Sequence, residues 1–205
     1  MSRYTGPKAR ISRRLGTNIF GTKGEVIALD KRPYPPGEHG RSRRRGNPSE
    51  YLLQLQEKQK ARLSYGLSEK QFRKIYEEAS RREGVTGENM LKFLELRLDN
   101  AVYRAGIAAT RPQARQLVNH GHFDVNGKRV DIPSYRLRKG DIVSLRPKAS
   151  KMVLIQWNVD VLDRQAPVWL QVADNSHEFT VIDIPSRDQI DIPVREQLIV
   201  ELYSK

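Results

Sequence analysis

Along the first half of the chain, apolar residues recur three and four apart, and polar caps divide the run into separate predicted helices. Ser49, after Pro48, caps one through about Ser64, with Leu52, Leu55 and Leu63 as its apolar marks. Ser68 and Gln71 have capping-box spacing and open another to about Glu83, carrying Phe72, Ile75 and Tyr76. Thr86 or Gly87 begins a third, with Leu91, Leu94 and Leu98. Leu98, Ala101, Val102 and Ala105 then mark a short helix that Gly106 ends. Thr110, with Gln113 three residues on, starts the next, whose apolar face is Ala114, Leu117 and Val118 and whose stop is Gly121. From His122 to Val130 the pattern changes, and an Asn126-Gly127 pair between apolar residues predicts a β-hairpin, with a final strand before Arg146. Beyond it, short apolar runs at 153–155, 168–172, 179–184 and 197–203 read as strands. These should close over the helices of 49–100 or add to the hairpin's sheet.

Charge sharpens this division. The net charge of +13 is spread unevenly: residues 1–48 hold 12 basic and 3 acidic residues, and 101–157 hold 11 and 3. Residues 49–100 are nearly balanced, and 158–205 are acidic, with 4 basic and 9 acidic residues. The expected fold is α+β, in four parts. A basic extended arm at 1–48 precedes a helical region at 49–96 that packs with the C-terminal piece. A helix-helix-hairpin module covers 97–157, and an acidic, strand-rich segment covers 158–205. The arm is dense in Gly, Pro and Arg, so it should order mainly against an anionic partner. No cysteine is present, which excludes disulfides and thiolate metal sites. The chain also lacks both an apolar run long enough for a membrane span and the apolar core of a signal peptide. A soluble cytoplasmic protein is expected.

Catalytic chemistry finds little support. His39, His120, His122 and His177 form no metal-ligand motif, and no phosphate loop, dinucleotide fingerprint or nucleophile elbow occurs. Neither a metal nor a cofactor is expected. Arg97-Leu98-Asp99 resembles the segment around the catalytic aspartate of pseudouridine synthases, but Asn-Ala-Val-Tyr-Arg follows it. Within a helical period, Asp99 serves better as a cap or as an ion-pair partner of Arg97 or Arg104.

The charge instead points to polyanion binding. Arg111 and Arg115 share one helix face near its N-terminus, where the dipole favours phosphate. Gln113, Gln116 and Asn119 lie on the same helix. Lys128 and Arg129 leave the hairpin turn, and Arg136 and Arg138 alternate on the next extended stretch. Arg10, Arg13 and Arg14 form one N-terminal cluster, and Arg41, Arg43, Arg44 and Arg45 another. These sixteen residues are the candidate RNA-binding set.

The runs 97–106, 110–118 and 125–134 resemble the RNA-binding module named after small-subunit ribosomal protein S-four. The opening Met-Ser-Arg-Tyr-Thr-Gly-Pro, the run Arg32-Pro-Tyr-Pro-Pro-Gly-Glu-His-Gly40 and the ending Leu198-Ile-Val-Glu-Leu-Tyr-Ser-Lys205 resemble the bacterial family of that ribosomal protein itself. So do the segments around Gln56–Lys60, Tyr65-Gly66 and Gly84–Asn89. The resemblance implies direct binding to the 5′ domain of 16S rRNA at a multi-helix junction, early in small-subunit assembly. It implies contact with ribosomal protein S-five and other small-subunit proteins, a place near the path by which mRNA enters, and a part in decoding accuracy. Many relatives hold zinc with four cysteines between the first basic cluster and the Pro-Tyr-Pro-Pro run; here residues 15–31 have none, and Ile19, Phe20, Val26, Ile27 and Leu29 would form an apolar cluster instead. The alternative readings are an RNA-modifying enzyme or a stress protein carrying the same module.

Overall fold

Most of the predicted helices start at their expected caps. In a computed structural model, described for residues 4–41, 47–162, 164–173 and 177–204, Ser49 Oγ accepts the Leu52 N–H at 3.3 Å and opens α3 (Glu50–Ser64). Ser68 and Gln71 close a reciprocal box at the start of α4 (Glu69–Ser80). The helix begun at Thr86, α5, ends at Glu95. Among the described residues, those up to 89 together with 192–204 form one compact unit, and 90–191 form the other.

The first unit contains more helix than its sequence suggested. The segment expected to lie extended holds α1 (Lys8–Leu15) and α2 (Lys23–Lys31). A small core of Ile11, Leu15, Ile19 and Leu63, with Phe20 against it, packs there. Val26 and Ile27, expected in that cluster, are exposed. A carboxylate supplies the missing cohesion. Glu25 is buried; one oxygen accepts from Ser12 Oγ and from the Phe20 N–H at 3.3 Å, the other from the Thr22 N–H at 3.1 Å and Thr22 Oγ1 at 2.7 Å. Several donors converging on one buried carboxylate satisfy it and fix the α1–α2 turn.

The last element of this unit corrects a sequence expectation. Residues 197–203 form not a strand but part of α10 (Glu196–Ser204), which packs on α3. A short apolar run with adjacent Ile and Val does not separate strand from helix by pattern alone. Tertiary partners decide here: Ile199 is buried, Glu201 accepts from Gln54 Nε2 at 3.1 Å, and Tyr203 stacks on Tyr76 with centroids 4.7 Å apart. The Tyr203 hydroxyl donates to Glu69 at 2.8 Å.

The second unit is built on α6 (Leu98–Arg104) and α7 (Arg111–Asn119), which pack together. The predicted hairpin follows as β1 (Phe123–Val125) and β2 (Lys128–Arg129), with Val125 opposite Lys128. Asn126 (φ 50°) and Gly127 (φ 75°) both take the left-handed conformation that a tight two-residue hairpin turn requires. Next come β3 (Ile142–Leu145), α8 (Pro147–Ser150), α9 (Val153–Leu162), β4 (Leu170–Val172) and β5 (Glu178–Val181). The five described strands form one antiparallel sheet in the order β2-β1-β3-β5-β4. The two later strands therefore extend the hairpin's sheet, while the final helix joins α3. The expected single segment 158–205 is thus divided at 191/192.

The run at 153–155, expected as a strand, lies in α9. A half-buried strand would place Val153 and Ile155 on one face, yet Val153 is exposed and Ile155 buried. The next inward residue is Asn158, three positions on, whose Nδ2 donates to the Ile107 carbonyl at 3.1 Å. The resulting core runs from Leu98 and Val102 through Phe123 and Val143 to Trp169 and Phe179.

Candidate nucleic-acid interface

Two buried carboxylates organise the arginines of the α6–α7 pair. Asp99 lies in the first turn of α6 and is bound by Arg97 through two hydrogen bonds, at 3.0 and 2.7 Å. Arg115 of α7 approaches the same carboxylate at 3.7 Å. Glu95 is almost fully buried and holds Arg104 through a second pair of bonds, at 3.0 and 2.8 Å. Asn100 joins the two helices: its Nδ2 donates to Glu95 at 2.8 Å, and its Oδ1 accepts from Arg111 Nε at 2.9 Å. Paired, charge-assisted bonds of this kind fix the planes of the guanidinium groups.

Aromatic rings complete the setting. Arg111 lies over Tyr103 at 4.4 Å, and Arg164 over the same ring at 4.0 Å. Arg164 also donates to the carbonyls of Tyr103, Ala108 and Ala109, at 2.8, 3.2 and 3.3 Å. Burial lowers its pKa, and neighbouring Arg111 and Arg104 add to this against the favourable influence of Tyr103. Arg136 lies 3.9 Å over Phe93. Its segment is pinned antiparallel to the start of α6: Leu98 N–H donates to the Tyr135 carbonyl and Leu137 N–H to the Leu96 carbonyl, each at 2.8 Å. Such stacking uses the planar face of Arg, which Lys lacks.

The other candidates are distributed as follows. Gln116 and Asn119 are exposed on α7. Gln113 is engaged within the fold: its N–H donates to Thr110 Oγ1 at 3.3 Å, and its Oε1 accepts the Ala109 N–H at 2.6 Å. The capping pair thus closes one residue earlier than the usual box. Lys128, Arg129 and Arg138 are exposed on or beyond the hairpin. In the first unit Arg10 and Arg14 are exposed on α1. Arg13 instead braces the proline-rich run, donating to the carbonyls of Arg32 and Tyr34 at 3.1 and 3.0 Å. Arg41 donates to the Tyr34 hydroxyl at 3.1 Å, and that bond lowers the phenol's pKa. Arg43, Arg44 and Arg45 lie outside the described residues.

Arg97, Arg104 and Arg164 were not among the sequence candidates. Arg97 and Arg104 carried a visible signal, since Glu95 and Asp99 stand close in sequence. Arg164 carried none, because it meets Tyr103 only through the tertiary fold. Asp99 pairs with Arg97, one of its two expected partners; Arg104 goes to Glu95.

Two packed helices, a basic hairpin and a guanidinium array set on carboxylates and rings define an S4-domain protein. The family described as "S4 domain" matches residues 96–143, and "Ribosomal protein S4/S9 N-terminal domain" matches residues 3–95. A Mycobacterium avium (strain 104) protein titled "Small ribosomal subunit protein uS4" is 57% identical over 206 residues, covering 100% of both chains. Proteins of the same title from Corynebacterium glutamicum (strain R) and Nocardia farcinica (strain IFM 10152) are each 56% identical, also over the full length of both chains. The chain belongs to the uS4 family of small ribosomal subunit proteins.

Proposed function

We propose that this protein is a structural constituent of the small ribosomal subunit that binds 16S rRNA directly and helps nucleate assembly of its 5′ domain. The observation that carries the reading is the guanidinium array of α6–α7, held in place by Glu95, Asp99 and Asn100, in a chain whose full-length relatives are ribosomal. RNA duplex grooves hide their base edges, so recognition rests on phosphates, 2′-hydroxyls and junction shape. Arg111, Arg115, Gln116 and Asn119 meet the RNA with Arg136, Arg138, Lys128 and Arg129, while Gln113 holds the helix start. Arg10, Arg13, Arg14, Arg41 and Arg43–Arg45 extend the footprint along the N-terminal region.

The reading includes no catalytic step; the protein acts by binding in the cytoplasm, where bacterial small subunits work. Contact with ribosomal protein S-five, proximity to incoming mRNA and a part in decoding accuracy belong to the same reading. The acidic residues of 158–205 turn toward protein neighbours rather than RNA. Protection footprinting on naked 16S rRNA tests it, with binding followed against salt. Neutralising about 6–10 phosphates should lower affinity about 10³–10⁵-fold between about 50 and 200 mM salt. No protection within the 5′ domain at low salt would overturn it.

A further inference from the structure

The hairpin end of the second unit gathers a separate cluster of basic groups. His120 ends α7 and His122 leads into β1; their rings meet edge to face with centroids 5.9 Å apart. Phe123 and Val125 are buried, so alternation places His122 and Asp124 on the outward face. Arg129 stands opposite Asp124 on the neighbouring strand. Its guanidinium lies so close over Gly121 (φ 68°) that a Cβ there would meet Nε and Nη2 at 2.5 Å. After β3, the Arg146 N–H donates to the His122 carbonyl at 3.0 Å, and its side chain stands 3.6 Å from Asp124.

The charge balance of this surface is lopsided. Asp124 sits between Arg129 and Arg146. From the surrounding elements, Asp131 stands 4.0 Å from Arg129, Lys148 follows Arg146 in α8, and Glu178 lies on β5 beyond Ser144. Like charges this close disfavour one another's charged forms until an anion joins them. His122 already registers this: burial first, then His120, Arg129 and Arg146, lower its pKa below the ordinary histidine value. Both influences favour the neutral ring. An arriving phosphate would reverse the local field and draw a proton onto it.

We propose that His120, His122, Arg129 and Arg146 form a phosphodiester-binding site, distinct from the α6–α7 arginines, at which RNA binding takes up a proton on His122. The proposal rests on the RNA-binding reading above. It makes affinity rise as pH falls through the histidine range, because the complex holds more protons than the separated partners. The arginines supply the charge that does not titrate.

The test uses the full chain and a 16S 5′-domain transcript at fixed ionic strength. Affinity should rise about 5–10-fold from about pH 8 to 6, and calorimetry in two buffers of different ionisation enthalpy should register proton uptake near neutral pH. His120→Gln/His122→Gln should lose the pH dependence, binding no more tightly at about pH 6 than at about pH 8. Arg146→Gln should weaken binding across the range and reduce the salt slope by about one phosphate. The same pH slope in the double variant, or no proton uptake by the unaltered chain, would overturn the proposal. If the double variant does not fold, the proton count on the unaltered chain decides. Absence of any transcript binding at low salt would instead overturn the ribosomal reading.

Discussion

The helix pair and the hairpin of the second unit present the same charge in opposite ways. Arg97, Arg104, Arg111 and Arg115 are buried or half-buried, each set against Glu95, Asp99 or Asn100. Lys128, Arg129 and Arg138 stand in solvent. A guanidinium already fixed by its fold loses little conformational entropy when a phosphate arrives, whereas an exposed long side chain loses most of its own at that moment. The helix pair should therefore read junction shape, and the hairpin should add affinity with less geometric demand. The cost is asymmetric too, because a buried charge pair is sensitive to loss of either member.

The most severe way to break this contrast is Asp99→Ala, which leaves Arg97 and Arg115 facing a site with no carboxylate. Unfolding in urea should show a loss of about 3–5 kcal/mol, and RNA affinity should fall with it. An unchanged midpoint would mean the array does not depend on its acid. A finer comparison sets Arg111→Ala/Arg115→Ala against Lys128→Ala/Arg129→Ala. Both should flatten the salt dependence of binding by about two phosphates. Only the first should also cost stability, about 1–2 kcal/mol, because its aliphatic stems and stacking on Tyr103 are lost.

Gly127→Ala strains one position of the turn at φ 75° and should cost about 1 kcal/mol, weakening binding through the hairpin alone. The smallest effect belongs to a half-exposed pair in the first unit. Burial opposes ionisation of Glu69, but hydrogen bonds from Lys58 and Tyr203 outweigh it and hold the carboxyl's pKa below its ordinary value. The stability it contributes is therefore present above the ordinary carboxylate pKa and is lost as pH falls through the lowered one. Glu69→Gln should flatten the acid limb of unfolding by well under about 1 kcal/mol, as expected for a solvent-screened pair.

Local chemistry made much of the fold legible in advance. Ser49, Ser68 and Thr110 cap helices through bonds to residues three positions on, and Asn126-Gly127 dictates its own turn. Such signals need nothing distant. The runs at 153–155 and 197–203 were ambiguous because their partners, Ile107 for Asn158 and Gln54 for Glu201, lie far away in sequence. The α1–α2 hairpin has a weak apolar signature for a related reason: one of its ties is polar, Ser12 to Glu25. In the candidate interface the charges were visible, but their order was not. Nothing in the spacing of Arg136 announces Phe93, and nothing in Arg164 announces Tyr103.

The closure of α10 on α3 has a consequence for synthesis. Residues 90–191 are contiguous, so that unit needs nothing from the last helix to reach its native packing. The other unit does, because Glu57 of α3 accepts the Arg195 N–H at 2.9 Å and Gln54 waits for Glu201. The nascent polypeptide thus holds α3 without its partner until the last helix emerges.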